Sequence, residues 1–305
     1  KESGRWLSGI RRAGEVLSQA AQVTVVCDRE ADIYQDFAHK PAGVELLIRA
    51  GINRKLATGD KLFDHADALP EACRISVNLA AAPGRASRQA LLALRFGPVS
   101  LLRPAHGLPA AELKQMPARV AAYLVDIREV DAPEGSAPVH WRLLTSHAVT
   151  DAAIAQKMVA FYRKRWIIED YFKTLKTGGF QVEDTEIGEP KVMLKFLSLA
   201  AIAAVTVTQL KQARDNPSGQ SLAHAFEPDD QPLIEALCKD YEGPKPTARQ
   251  TNPHPQGTMA YATWVIARLG GWTGYYGKPG AQTLNRGLQK YYAIKYGAQI
   301  QRKFV

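Results

Sequence analysis

Cysteine is scarce in this chain and does not cluster. Cys27, Cys73 and Cys238 are widely spaced and form no CxxC pair. That spacing argues against a disulfide scaffold or a cysteine zinc site and makes a reducing cytosol the expected compartment. The histidines His39, His65, His106, His140, His147, His224 and His254 show no metal-ligand spacing and are assigned no chemistry. Long apolar runs are missing as well. The most apolar stretch, 196-FLSLAAIAAVTV-207, is 12 residues long and flanked by Lys195, Gln209 and Lys211. A bilayer span needs roughly 20 such residues, so this stretch reads as a buried core helix. The opening 1-KESGRWLSGIRRAGEVL-17 has no apolar core and no initiator Met. It does not read as a signal peptide, and it is expected to be the interior of a longer protein. Internal repeats and low-complexity tracts are absent.

What is present is enough for a folded chain. At 305 residues, with 46% hydrophobic and 23% charged residues, a substantial core is expected rather than disorder. Lys and Arg total 39 against 30 Asp and Glu, a formal charge of +9. That excess favours an anionic partner, nucleic acid ahead of an acidic membrane surface.

Residues 5 to 20 read as a helix with basic residues on one side. The β-branched run 23-VTVVC-27 suits a fully buried strand, Asp28 follows it, and 29-READIYQDFA-38 has the spacing of a helix start. A second buried strand is expected at 44-VELLIRA-50. From about Gly51 to Pro138 the character changes to short alternating segments, 74-RISVNLA-80, 89-QALLALRFG-97, 99-VSLLRP-104 and 120-VAAYLVDIREV-130. Turns at 82-APGR-85 and 132-APEG-135 separate them, which predicts a β-rich module inserted into another fold. The strand 141-WRLLTS-146 then leads into one long helix from about Asp151 to Lys176. Further helices are expected at 192–214, 232–242, 259–272 and 281–297.

The segment 162-YRKRWIIEDYFKTLK-176 carries the chemistry-bearing side chains. On a continuous helix, with Tyr162 at zero, Arg165 falls near about −60°, Glu169 near about −20° and Lys176 near about −40°. Phe161, Ile168, Phe172 and Leu175 fall beside this stripe as its buried border, and Asp170 turns away from it. A solvated charged face is the ordinary reading, since a pair such as Arg165 with Glu169 contributes only about 0.3–0.5 kcal/mol. The alternative is a phosphate-binding face around one metal-ligating carboxylate. Asp28 has two readings as well: a group delivered by a strand end, as in many α/β active sites, or a helix N-cap. Cys27 beside it reads as a small buried hydrophobe.

Together, Tyr162, Arg165, Glu169 and Lys176 reproduce the Y-x2-R-x3-E-x6-K signature of the DDE cut-and-paste transposases of bacterial insertion sequences. The block 26-VCDREADIY-34 resembles that family's second catalytic Asp region, 140-HWRLLTS-146 resembles the strand and Trp of its hairpin-forming members, and 264-WVIARLGGW-272 resembles its C-terminal region. The resemblance implies an α/β fold: an RNase H-like core over residues 1–50 and 139–215, a β-rich insertion at 51–138, and a helical C-terminal region at 216–305 that contributes to dimerisation. Asp28 and Glu169 would be catalytic metal ligands for Mg²⁺ or Mn²⁺. Tyr162, Arg165 and Lys176 would contact DNA phosphates, and Trp141 would line a pocket for a flipped base, with a plain core Trp as its alternative. Arg49, which closes a core strand, leads a set of basic residues along a DNA path that includes Arg54, Lys55, Arg163, Lys164 and Lys173; solvated surface cations are the alternative for any one of them. The implied partners are double-stranded DNA, as transposon ends and target, and a second copy in the synaptic complex, in the bacterial cytoplasm and away from membranes.

The family's first Asp has no counterpart here, because only Glu2 and Glu15 precede Asp28 and neither follows a strand. The chain is therefore expected to be truncated at its N-terminus and inactive in strand cleavage as it stands. The alternative role is a non-catalytic DNA-binding or inhibitory derivative acting through mixed dimers.

Overall fold

The computed structural model describes residues 3–79, 87–106, 109–177, 179–244, 247–248 and 250–301. The expected turn at 82–85 and Glu2 lie outside the described residues. The chain divides into two compact units, Lys1–Arg165 and Trp166–Val305.

The first unit contains α1 (Ser3–Val16), β1 (Val23–Cys27), α2 (Tyr34–Ala38), β2 (Val44–Arg49), α3 (Leu62–Ala68), β3 (Cys73–Leu79), β4 (Arg88–Leu102), α4 (Ala110–Gln115), β5 (Arg119–Val130), β6 (His140–Thr145) and α5 (Ala152–Arg163). Its described strands form one mixed sheet in the order β1-β2-β6-β5-β4-β3. β1 and β2 run parallel, and the remaining neighbours are antiparallel. Parallel strands are normally buried on both faces, which explains why 23–27 and 44–49 are nearly unbroken apolar runs. On one face Val23, Cys27, Val44, Leu46 and Ile48 pack with Ile10, Leu124 and Leu144. On the other, Leu47, Val125 and Leu143 pack with Ala155, Met158, Val159 and Tyr162 of α5.

The β-rich stretch expected as an insertion continues this same sheet. β6 pairs with β2 on one side and with β5 on the other, so β5, β4 and β3 continue the layer that β1 and β2 begin. The two strands expected at 89–97 and 99–104 are a single β4, which runs through Gly97 and Pro98. β3 pairs with β4 only as far as Leu94, so Pro98, which has no N–H to donate, lies where that edge has no β3 partner. A Cβ on Gly97 would come within 2.8 Å of Leu69 Cδ2, so close approach by Leu69 accounts for that glycine. The helix expected from residue 29 is a 3-10 turn at Arg29–Ala31 followed by the short α2.

The second unit is helical: α6 (Trp166–Lys176), α7 (Pro190–Asp215), α8 (Gln231–Glu242), α9 (Met259–Leu269) and α10 (Ala281–Gln301). α9 is apolar on most sides and is buried at every residue but Arg268. It packs with Val207 and Leu210 of α7, Ile234 and Cys238 of α8, and Leu284, Leu288 and Tyr291 of α10. Glycines set the spacing of α9 and α10: a Cβ on Gly287 would lie 1.9 Å from the Ile266 carbonyl oxygen. Gly287→Ala is therefore expected to cost about 1–3 kcal/mol by forcing the two helices apart, read as a lower midpoint in urea denaturation.

α7 departs from the expected core helix. Its 26 residues make it long and apolar enough to cross a bilayer by length and composition. Within the unit it buries small residues, Ala200, Ala204 and Ala213, together with Val207 and Leu210, while Leu194, Leu199 and Ile202 are 65%, 69% and 67% exposed. Because its apolar residues run round the helix, periodicity could not say which side would be covered.

The long helix expected from Asp151 to Lys176 is also two elements. Asp151 caps α5 by accepting a hydrogen bond from Ile154 N at 2.8 Å. The helix then tightens: Lys164 N donates to Phe161 O and Arg165 N to Tyr162 O, both at 3.0 Å, an i→i−3 pattern. The break falls where one compact unit ends and the next begins. The single-stripe arithmetic for Tyr162, Arg165, Glu169 and Lys176 does not survive it. The expected buried border is not buried either, since Ile168 and Phe172 are exposed and Thr174 is the buried residue of α6.

Candidate active site

Asp28 stands one residue beyond β1, and its two carboxylate oxygens do different things. Oδ1 accepts a hydrogen bond from Glu30 N at 3.1 Å and so caps the 3-10 turn. Oδ2 faces the Arg165 guanidinium, 3.8 Å from its Nη1. The helix N-cap reading of Asp28 is therefore met by Oδ1, while Oδ2 takes no part in the cap. The Asp28 side chain is 42% exposed, so a hard cation can reach it.

Arg165 lies over the Tyr162 ring, 5.9 Å from its centroid, and that ring meets Trp141 edge-on at 5.3 Å. The fold thus joins Asp28, Arg165, Tyr162 and Trp141, four residues expected at the site, in one line of contacts within the first unit. Tyr162, expected to offer its hydroxyl to a phosphate, is buried at 3% exposure. Trp141 is half-buried and packs against the core beneath α5.

The other two signature residues belong to α6. Glu169 is exposed in its first turn, where a carboxylate is favoured by the helix dipole. Lys176 lies in its last turn and pairs with Glu183 at 2.8 Å. Asp170 is tied to Lys211 of α7 at 3.2 Å. Cys27 is buried, and its thiol is pushed up to about 12 by burial above all, then by the carboxylates of Asp36 and Asp28, so it is inert.

Arg49 closes β2 half-buried, with Nη2 donating to the His140 carbonyl at 3.1 Å. Of the other basic candidates, Arg54 pairs with Asp32 in the interior. Arg163, Lys164, Lys173 and Lys55 lie on the surface.

Two acidic features were not anticipated. Asp32, 2% exposed, accepts hydrogen bonds from Gly51 N and Ile52 N at 2.8 and 2.9 Å and pairs with Arg54. It thereby fixes the chain leaving β2 against the turn that carries Asp28. Asp126, fully buried in β5, accepts from His140 Nε2 at 2.8 Å and lies near Asp67. Asp67, Asp126 and His140 are close enough together to hold a metal ion. Arginines already occupy that neighbourhood: Arg128 and Arg142 pair with Asp67, and Arg95 and Arg142 with Asp126. Three guanidiniums against two carboxylates make it an ion-pair network poorly suited to a divalent cation. A cue to Asp126 was available, because an acid among the apolar residues of 120–130 must be paired when buried.

A family model described as a transposase DDE domain matches residues 24–205. The match starts within β1, takes in Asp28, Trp141, Tyr162, Arg165, Glu169 and Lys176, and covers more than half of the chain, which therefore belongs to the transposase DDE domain family.

Proposed function

We propose that this transposase chain supplies Asp28 and Glu169 as two of the carboxylate ligands for metal-dependent strand cleavage and transfer at the ends of a bacterial insertion sequence. The carrying observation is Asp28 itself: a strand-end carboxylate with one oxygen committed to the backbone, the other turned to solvent and to Arg165. Oxygen donors of this kind suit Mg²⁺ or Mn²⁺. When bound, such an ion activates the attacking oxygen and stabilises the charge that develops at phosphorus.

The chain's own residues supply position and charge. Arg165 offers a planar fork that binds a phosphate through two parallel N–H···O bonds beside Asp28. Lys176 adds a point charge at the end of α6. Tyr162, buried, acts as a positioning residue that holds Arg165 on one side and Trp141 on the other. Trp141, half-buried, offers its ring to a base turned out of the duplex. Double-stranded DNA is the substrate, and two copies meet in the synaptic complex through the helices after Ser218.

The test is oxidative footprinting of the protein itself. Fe²⁺ with ascorbate and peroxide, used in place of Mg²⁺, is expected to cut the backbone near residues 28 and 169. Excess Mg²⁺ should protect both places, and Asp28→Asn with Glu169→Gln should remove the cuts. Cuts confined to the surroundings of Asp67, Asp126 and His140 would place the metal elsewhere and end this assignment.

A further inference from the structure

In the second unit, α6 and α7 are joined by 177-TGGFQVEDTEIGE-189, a stretch with the carboxylates of Glu183, Asp184, Glu186 and Glu189 and no Lys or Arg. Glu183 forms an ion pair with Lys176, the last residue of α6, at 2.8 Å. We infer that this acidic stretch is an autoinhibitory stand-in for phosphate: Glu183 occupies Lys176 in the free protein, and duplex DNA has to displace it. The inference rests on the DNA reading above and adds to it a restraint on when Lys176 is available.

Charge is the first argument. Lys173 and Lys176 lie one turn apart at the C-terminal end of α6, where the helix dipole favours cations. The four acids that follow are all exposed. Glu189 stands at the N-cap of α7, and the positive end of that helix accounts for a carboxylate there. Glu183 serves Lys176 instead. A carboxylate and a phosphate oxygen offer a lysine the same kind of charge-assisted bond, so the two compete for one ammonium group.

Placement is the second argument, because the stretch is anchored at both ends. Gly179 O accepts from Asn285 Nδ2 of α10 at 2.7 Å, and Phe180 packs on the core that α9 shares with α7 and α10. Pro190, the first residue of α7, fixes the other end. Between these anchors Gln181 has a φ of 49°, in the left-handed region that residues with a Cβ seldom enter. Val182–Asp184 then forms a 3-10 turn, with Asp184 N donating to Gln181 O at 3.0 Å. Such a conformation persists only where the surroundings hold it, and here it is the one that brings Glu183 back to α6.

Strength is the third argument. The Lys176 and Glu183 side chains are 52% and 57% exposed. An exposed pair contributes little and is screened by salt. The contact therefore lowers duplex affinity without abolishing it.

The experiment measures binding of a short labelled duplex of arbitrary sequence to the full chain by anisotropy, across a KCl series and in EDTA, so that metal ligation plays no part. Glu183→Gln is expected to bind roughly threefold more tightly than wild type at low salt. The gain should shrink as KCl rises. Lys176→Gln should bind more weakly than wild type. Adding Glu183→Gln to Lys176→Gln should bring no gain, because no ammonium group is left to release. Asp240→Asn, at an exposed position on α8, controls for the loss of one negative charge and should leave affinity unchanged. An equal gain in both Lys176 backgrounds, or the same gain from Asp240→Asn, means general repulsion and overturns the inference. So does Glu183→Gln that binds no more tightly than wild type, while a weaker-binding Glu183→Gln would make Glu183 a support for Lys176 and overturn it as well. Failure of the DNA reading looks different: wild type and Lys176→Gln then bind alike, and the inference falls with it.

Discussion

Asp36→Asn is expected to match the wild-type stability near pH 4 and to exceed it by about 4 kcal/mol at pH 8. Asp36 lies on α2 with no exposed surface, and neither carboxylate oxygen has a hydrogen-bond partner among the described residues. Burial pushes its carboxyl up from 3.8 to about 7. The folded state therefore keeps this proton over a range in which the unfolded chain has lost it. With more protons bound in the folded state, stability falls as pH rises, by about 1.4 kcal/mol per pH unit between about pH 4 and 7. Above that window both states are ionised and the penalty is constant. Asparagine has the same shape and cannot ionise, so the difference between variant and wild type should grow across the window and then level off. Urea denaturation at several pH values measures it, and a flat difference would contradict the assignment of an unpaired buried acid.

Asp230, in the second unit, is the opposite case. It is also buried, yet it accepts from Tyr291 Oη at 2.6 Å and from Glu227 N at 2.9 Å, and it pairs with Lys295 at 2.6 Å. Burial raises its pKa, but Lys295, Tyr291 and the Glu227 amide together lower it below the usual carboxylate value. Its contribution is present at neutral pH and is lost as pH falls through that lowered value. The two buried acids thus respond to pH with opposite signs, and the difference lies in their partners rather than in their depth.

How much of this was legible depends on how far apart in sequence the cause lies. β1 and β2 could be read because a β-branched run announces a strand buried on both faces. Asp28 could be read because it follows one of those runs directly. The break at Lys164–Arg165 could not, since no Gly or Pro marks it and the chain changes only from i→i−4 to i→i−3 bonding. Asp126 shows the limit most plainly. Its cross-strand neighbours are Arg95 on β4 and Arg142 on β6, so the ion-pair row exists only once the register of three strands is set. His140 joins that row through folding and has no motif to give it away. The apolar side of α7 was undetermined for a related reason: with apolar residues all round, only the packing of α6, α9 and α10 selects the covered face.

Asp32→Ala is expected to destabilise the first unit by about 3–5 kcal/mol, the cost of leaving a buried ionic partner and its donors unsatisfied. One residue meets four demands here. Its Oδ2 accepts the Gly51 and Ile52 amides, its Oδ1 pairs with Arg54, and its own carbonyl accepts from Arg54 Nη2 at 2.9 Å. Alanine keeps the carbonyl but strands both amides and the 10%-exposed Arg54 side chain. Asparagine keeps an acceptor for the amides and loses the charge, so Asp32→Asn should fall between wild type and alanine. Adding Arg54→Met to Asp32→Ala should recover part of the loss, because the unpaired charge goes while its aliphatic volume is kept; a double-mutant cycle reads this coupling. The same change reaches the cleft lined by Arg29 and Arg49, since Gly51 also lines it and follows Arg49 by two residues. Asp32→Ala should therefore weaken duplex binding even at a urea-free temperature where the variant remains folded, whereas Gly287→Ala in the second unit should not. A stability loss in Asp32→Ala with duplex affinity unchanged would separate the support of this loop from the placing of the cleft.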